Sequence, residues 1–172
     1  MIAEAKSQKS YEIIKNNEVK GTLTYKSMFR TSADINTVKD GDHSLKWYFG
    51  FLVAKFKITQ NDIETIKLKM SWNGNFSITM ENGVEYKLVS KGNFKRRTFL
   101  ENQESRELIE ISKKYNWKRW NYDYEIEDSK TQQIDLLSLI TVYALNYQQQ
   151  YQMGLMMLVI MSCNAFVNLA NL

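Results

Sequence analysis

QMGLMMLVIMSCNAFVNLANL, residues 152–172, is the stretch on which the fold turns. It is rich in Leu, Met and Ala, all good helix formers. On a helix Asn164, Asn168 and Asn171 fall on one stripe at spacings of four and three, and everything upstream of Asn164 is apolar around the circumference apart from small Ser162. A helix of that kind belongs inside a protein core or in lipid. Crossing a bilayer takes about 20 predominantly apolar residues, and Met153 to Phe166 falls short of that before the asparagines dominate. Positively charged flanks, the usual anchors of membrane orientation, are missing. The stretch is therefore read first as a helix enclosed by the rest of the chain, and second as a membrane-embedded tail or helical hairpin.

Immediately upstream, QQIDLLSLITVYALNY (Gln132 to Tyr147) also has the spacing and length of a helix, and no charged residue follows Asp135. Glutamines at 148–150 and 152 separate the two apolar runs. The expectation is two helical runs, with residues 132–172 packed in the β region.

Before Asp128 the dominant period is two. KLKM within Ile63 to Met70, FSITM (Phe76 to Met80), EYKLV (Glu85 to Val89) and LIEIS (Leu108 to Ser112) read as short strands. In WNYDYEIE, Trp120, Tyr122, Tyr124 and Ile126 are expected on the buried face, with Asn121, Asp123, Glu125 and Glu127 on the wet one. NNE (16–18), DGD (40–42), WNGN (72–75), ENG (81–83) and KGN (91–93) are turn signals, because Asn and Gly suit the positive φ of tight hairpins. About nine or ten strands joined this way make an antiparallel meander across residues 11–127, which must close or be capped at its edges. The fold class is mainly β with C-terminal α: an antiparallel β-barrel or strongly curved sheet enclosing an apolar C-terminal helix, in a single domain spanning residues 1–172.

Composition narrows function by exclusion. With 172 residues, 44% hydrophobic and 24% charged, the chain suits one globular domain. Cys163 and His43 each stand alone, so no intrachain disulfide and no cysteine- or histidine-rich zinc site can form. Cys163 lies among apolar residues and reads as a buried structural thiol. His43 lies in a turn-like segment. MIAEAKSQKS (1–10) lacks the apolar run of a signal peptide and points to a cytoplasmic rather than secreted product, peripheral at or anchored in a membrane. Proline is absent. No G-x-x-x-x-G-K-[ST], G-x-G-x-x-G, H-E-x-x-H or G-x-S-x-G motif occurs, so neither an enzyme nor a cofactor is expected, and nucleic acid is not an expected partner.

GFLVAKFKIT (50–59), NGNFSITMENGVEYKLVSKGNFK (73–95) and WKRWNYDYEIE (117–127), followed by the apolar C-terminal run, together resemble the tubby-like superfamily. That superfamily includes tubby C-terminal domains, LURP-one-related proteins and phospholipid scramblases. The resemblance is one of architecture over nearly the whole chain. It implies a closed β-barrel around a hydrophobic helix, and association with lipid through basic side chains.

Two basic clusters are the candidate sites: KGNFKRR (91–97) and KKYNWKRW (113–120), the second interleaving cations with aromatics. Lys and Arg pair with phosphate, and Trp or Tyr settles at a headgroup interface. Lys95, Arg96, Arg97, Lys118 and Arg119, with Trp117 and Trp120, are the expected anion- or lipid-binding residues, and anionic phospholipid or a membrane surface is the expected partner. Solvated side chains beside core aromatics are the plainer reading of the same residues. A structural protein that meets a protein partner is the alternative function. Asp123, Glu125 and Glu127 on one strand face, and Asp40 with Asp42 around Gly41, are acidic groupings for which a wet face and a turn suffice. No metal site is expected.

Overall fold

The computed structural model describes residues 1–27, 29–49, 53–91, 97–128 and 134–170, with the side chains of Phe49 and of 158–170 left outside the description. Twelve strands follow one another: β1 Ile2–Ala5, β2 Ser10–Lys15, β3 Glu18–Tyr25, β4 Ser32–Thr37, β5 Gly41–Phe49, β6 Lys55–Gln60, β7 Ile63–Met70, β8 Phe76–Met80, β9 Glu85–Lys91, β10 Arg97–Asn102, β11 Glu107–Asn116 and β12 Asn121–Asp128. Each pairs antiparallel with its sequence neighbours, and β1 pairs with β12, Ala3 lying opposite Tyr124, so the sheet closes into a barrel. A single helix, α1 (Ile134–Ala170), follows.

Closure removes the exposed edges that an open meander would leave. The β region begins at Ile2, earlier than the expected residue 11. There Ala3 and Ala5 are fully buried, and residues this small carry little hydrophobic signal for period-two reading. Twelve strands enclose more space than side chains alone can fill, since about eight already make a side-chain-filled barrel. The helix fills the remainder. From Ile134 to Ala144 every residue is buried, and Leu139, Ile140, Val142 and Tyr143 are completely so.

The inner wall is shaped for the helix. Gly21 on β3 is the clearest case: a Cβ there would stand 2.7 Å from the Asn36 carbonyl oxygen and 2.9 Å from Leu139 Cδ1. The helix lies close to the wall because that side chain is missing.

Topology orients the molecule. The connections β1–β2, β3–β4, β5–β6, β7–β8, β9–β10 and β11–β12 gather at one rim, here the upper; the alternate connections gather at the lower rim, where β12 leads into the helix. The helix enters below and leaves above, and Gln148 Nε2 donates to the Gly74 carbonyl of the β7–β8 connection at 3.0 Å. At 1.5 Å per residue its 37 residues measure about 55 Å, more than the barrel can hold. Gln152 to Met157 are accordingly exposed above the rim.

Two expectations change. The glutamines at 148–150 do not separate two helices; they lie within one, because glutamine is itself a good helix former and its side chains reach the rim. The stretch enclosed by the barrel is Ile134 to Tyr147, whereas the opening of QMGLMMLVIMSCNAFVNLANL projects outward as far as its side chains are described. Cys163 and the asparagine stripe lie outside the described side chains.

Turn chemistry follows the sequence at the lower rim. Asn16 and Asn17 (φ 54° and 63°) and Asn61 and Asp62 (φ 50° and 63°) supply the paired left-handed residues of two-residue hairpins, and Gly83 (φ 80°) serves the β8–β9 turn.

Candidate functional site at the upper rim

The upper rim collects the exposed aromatic residues of the barrel. Trp117 and Trp120 sit in the β11–β12 turn at 75% and 70% exposure, Trp72 in the β7–β8 turn at 75%, and Phe29 in the β3–β4 connection at 74%. Trp47, on β5, is half-exposed, and its N–H donates to the Thr31 carbonyl at 2.8 Å, which places it beside the same connection. All four tryptophans of the chain therefore lie at or near one end. Above them the helix presents Met153, Met156 and Met157, each more than half exposed.

The β11–β12 hairpin shows how this is built. Tyr115 and Tyr122 are register partners, with ring centroids 5.1 Å apart, and Trp117 stands edge-on to Tyr115 at 4.7 Å. Trp117 also meets Trp120 at 6.5 Å. The Lys113 ammonium lies 5.1 Å from the centre of the Tyr122 ring.

The expected alternation in WNYDYEIE holds for Tyr124 and Ile126, which are buried, and for half-buried Tyr122. It fails at the turn: Trp120 takes φ 52° and is exposed, while Asn121 is 4% exposed. The left-handed residue at 120 turns its indole out and brings the Asn121 amide inward, where its Oδ1 lies 2.6 Å from the Tyr11 hydroxyl. Asp123 is structural as well, accepting from the Ala5 N–H at 2.8 Å and from Asn116 Nδ2 at 2.8 Å.

Charge is distributed as unevenly as aromaticity. The described residues of the upper connections carry Lys6, Lys9, Lys26, Arg30, Lys118 and Arg119 and no carboxylate. Those of the lower connections carry Asp40, Asp62, Glu81 and Glu104 against Lys39 and Arg106. Some upper-rim cations meet acids on the adjoining strands: Lys6 reaches Glu4 at 2.8 Å, Lys26 reaches Asp34 at 2.6 Å, and Arg119 lies 3.9 Å from Glu4. These pairs are part-exposed and weak. Lys9, Arg30 and Lys118 have no ion pair among the described residues, nor does Lys113 on the strand below.

Of the residues picked out in the sequence, the structure brings together Trp117, Lys118, Arg119 and Trp120. Arg97, first in β10, points along the barrel wall and is paired with Glu110 at 2.5 Å. Lys95 and Arg96 lie outside the described residues. Arg30, Phe29 and Trp72 were missed, each in a short connection whose neighbours become clear only when the strands close.

Behind the rim lies a layer of buried hydroxyls and amides. The Tyr124 hydroxyl donates to Asn146 Oδ1 at 3.0 Å, the Tyr11 hydroxyl lies 3.1 Å from the same oxygen, and Tyr143 donates to the Arg30 carbonyl at 2.6 Å. Burial pushes the Tyr11 phenol up to about 12, and raises Tyr25, Tyr124 and Tyr143 further. These phenols stay neutral, and those of Tyr11, Tyr124 and Tyr143 act as hydrogen-bond pins, whereas the buried Tyr25 hydroxyl has no partner among the described residues.

At the lower rim a cleft of about 440 Å³ is lined by Asp40, His43, Gln60, Glu81, Asn82 and Leu136, among others. His43 is buried on β5, not in a turn, and desolvation lowers its pKa. Among the described residues no group of three or more His, Cys, Asp or Glu side chains is placed to hold a metal ion. Nor is any helix among them long and apolar enough to cross a membrane. No protein family model, curated protein or solved structure matches the chain.

Proposed function

We propose that the protein is a non-enzymatic binding module of tubby-like type that docks its upper rim onto an anionic membrane surface. The observation that carries this reading is the coincidence, at one end of the barrel, of four tryptophans, a carboxylate-free set of cationic connections and the projecting apolar helix. Tryptophan settles where apolar and wet environments meet, and each Lys or Arg near an anionic leaflet contributes about 1 kcal/mol. The closed twelve-strand barrel around a C-terminal helix supports the tubby-like part of the reading.

Vesicles of phosphatidylcholine and phosphatidylserine with brominated acyl chains test it, because bromine quenches indole fluorescence only at close range. Strong quenching that needs phosphatidylserine and fades with added salt is expected. Binding with no quenching, or no binding, sinks the proposal. A second reading, in which the helix beyond Gln152 embeds in the bilayer as an anchor, is favoured by the exposure of Met153, Met156 and Met157. Alkaline carbonate separates the two: it releases a protein docked by charge and leaves an embedded one in the pellet.

A further inference from the structure

Two cavities flank the β3–β4 connection where the helix leaves the barrel, and they differ in kind. One, about 430 Å³, is polar and aromatic, with Arg30, Tyr115, Trp120, Tyr122 and Gln149 in its wall. The other, about 470 Å³, is a largely apolar groove between Phe29 and the helix, lined by Tyr147, Tyr151, Leu155 and Met157. Gln150 and Met153 line both, so the two spaces adjoin.

Arg30 governs the polar half. It is half-buried, has no carboxylate partner among the described residues, and lies 5.1 Å from the centre of the Tyr25 ring. Among the described residues its guanidinium makes one hydrogen bond, and a long one, Nη1 to the Asn146 carbonyl at 3.4 Å. Tyr143 grips its carbonyl, and its φ of 53° is an uncommon one for a residue with a side chain. An arginine held in place with no carboxylate partner among the described residues, in a cavity that also holds Tyr, Trp and Gln side chains able to donate, suits an oxyanion that brings two acceptor oxygens. The groove next to it offers an apolar wall and no charge.

We infer that these adjoining cavities form one site for a single-chain anionic amphiphile, its carboxylate or phosphate monoester on Arg30 and its hydrocarbon chain along the groove between Phe29 and the helix. Charge complementarity selects this occupant over an apolar peptide: the groove opens onto a cation that an apolar peptide would leave without an anion. The site rests on the membrane-docking reading for its supply of ligand, but binding to it requires no bilayer.

Calorimetric titration of the full chain with dodecanoate and dodecyl phosphate, below their critical micelle concentrations, tests the site. Decanoate, dodecanol and acetate serve as the short-chain, headless and chainless controls. One saturable site is expected, with affinity rising at least twofold per added methylene against a ceiling of about fourfold for full burial. Dodecanol and acetate should bind at least tenfold more weakly than dodecanoate. Arg30→Gln should lose tenfold or more, Arg30→Lys should recover part of the loss, and Phe29→Ser should flatten the chain-length dependence.

No saturable binding, or equal binding by wild type and Arg30→Gln with both folded by thermal melting, overturns the inference. Equal binding of dodecanol and dodecanoate overturns it as well. Dodecanoate binding by Lys118→Glu with Arg119→Glu, which line neither cavity, within about threefold of wild type alongside weakened vesicle binding confirms that the cleft and the rim act separately. Saturable dodecanoate binding by a protein that ignores vesicles removes the membrane reading and leaves the site standing.

Discussion

The two rims of the barrel are made by the same device, short connections between antiparallel strands, yet share almost nothing chemically. The lower rim uses Asn-Asn, Asn-Asp and Asn-Gly turns, the described connections there hold more acids than bases, and the exposed apolar residues near it, Ile2, Val19, Val38 and Ile63, are aliphatic. The upper rim holds tryptophans and connections that carry cations and no carboxylate among their described residues, and the helix projects through it. A barrel needs only that its turns close. Chemistry beyond that need, present at one end and missing from the other, is where function should be sought.

Inside the barrel, the hydroxyls of Tyr11, Tyr124 and Tyr143 bond to Asn146, Asn121 and Arg30 toward the upper end. The largest expected effect follows from those phenols. A tyrosine whose folded pKa is raised binds its proton above pH 10 while the unfolded chain releases it, so its stabilisation is full below pH 10 and is lost as pH rises toward the folded value. At pH 11, Tyr11, Tyr25, Tyr124 and Tyr143 together should cost roughly 4 kcal/mol, at about 1 kcal/mol each. Urea unfolding at pH 8, 10 and 11 measures this; a flat profile would place the phenols in water.

Next is Asn146→Leu, which leaves the Tyr124 hydroxyl without its acceptor and deprives Tyr11 of one of two. A loss of about 2–3 kcal/mol is expected in the same assay. Gly21→Ala should lose about 1–3 kcal/mol, because the added methyl meets a backbone carbonyl and the helix together. A chain of this length should then melt roughly 2–4 °C lower per kcal/mol. Smallest is the double change Met156→Ser and Met157→Ser, which should leave stability within about 0.5 kcal/mol while weakening vesicle binding. A large loss of stability there would mean that the projecting helix is core after all.

The barrel and its enclosed helix were legible because period-two segments, Asn and Gly turns and a charge-free C-terminal run all point to one architecture. Strand number was less so, since β1 buries only alanines. The single helix was hidden because glutamine reads as a break in hydrophobicity, although it is not a break in helix propensity. Half of the candidate site, Trp117 to Trp120, could be read from the interleaving of aromatic and basic residues. Arg30, Phe29 and Trp72 could not: they stand far from that hairpin in sequence, and only ring closure sets the odd-numbered connections side by side. That the described upper connections lack Asp and Glu is likewise invisible until topology says which connections share a rim.

The most direct test sets rim against rim on anionic vesicles. Flotation of the full chain is compared with that of Lys118→Glu with Arg119→Glu above, and of Lys39→Glu with Arg106→Glu below, each variant making the same change in net charge. The upper pair should weaken binding by at least about 2 kcal/mol, roughly thirtyfold, and the lower pair by less than about threefold. Equal losses from the two pairs would mean that net charge alone attracts the protein, and would contradict the assignment of the upper rim as the docking face.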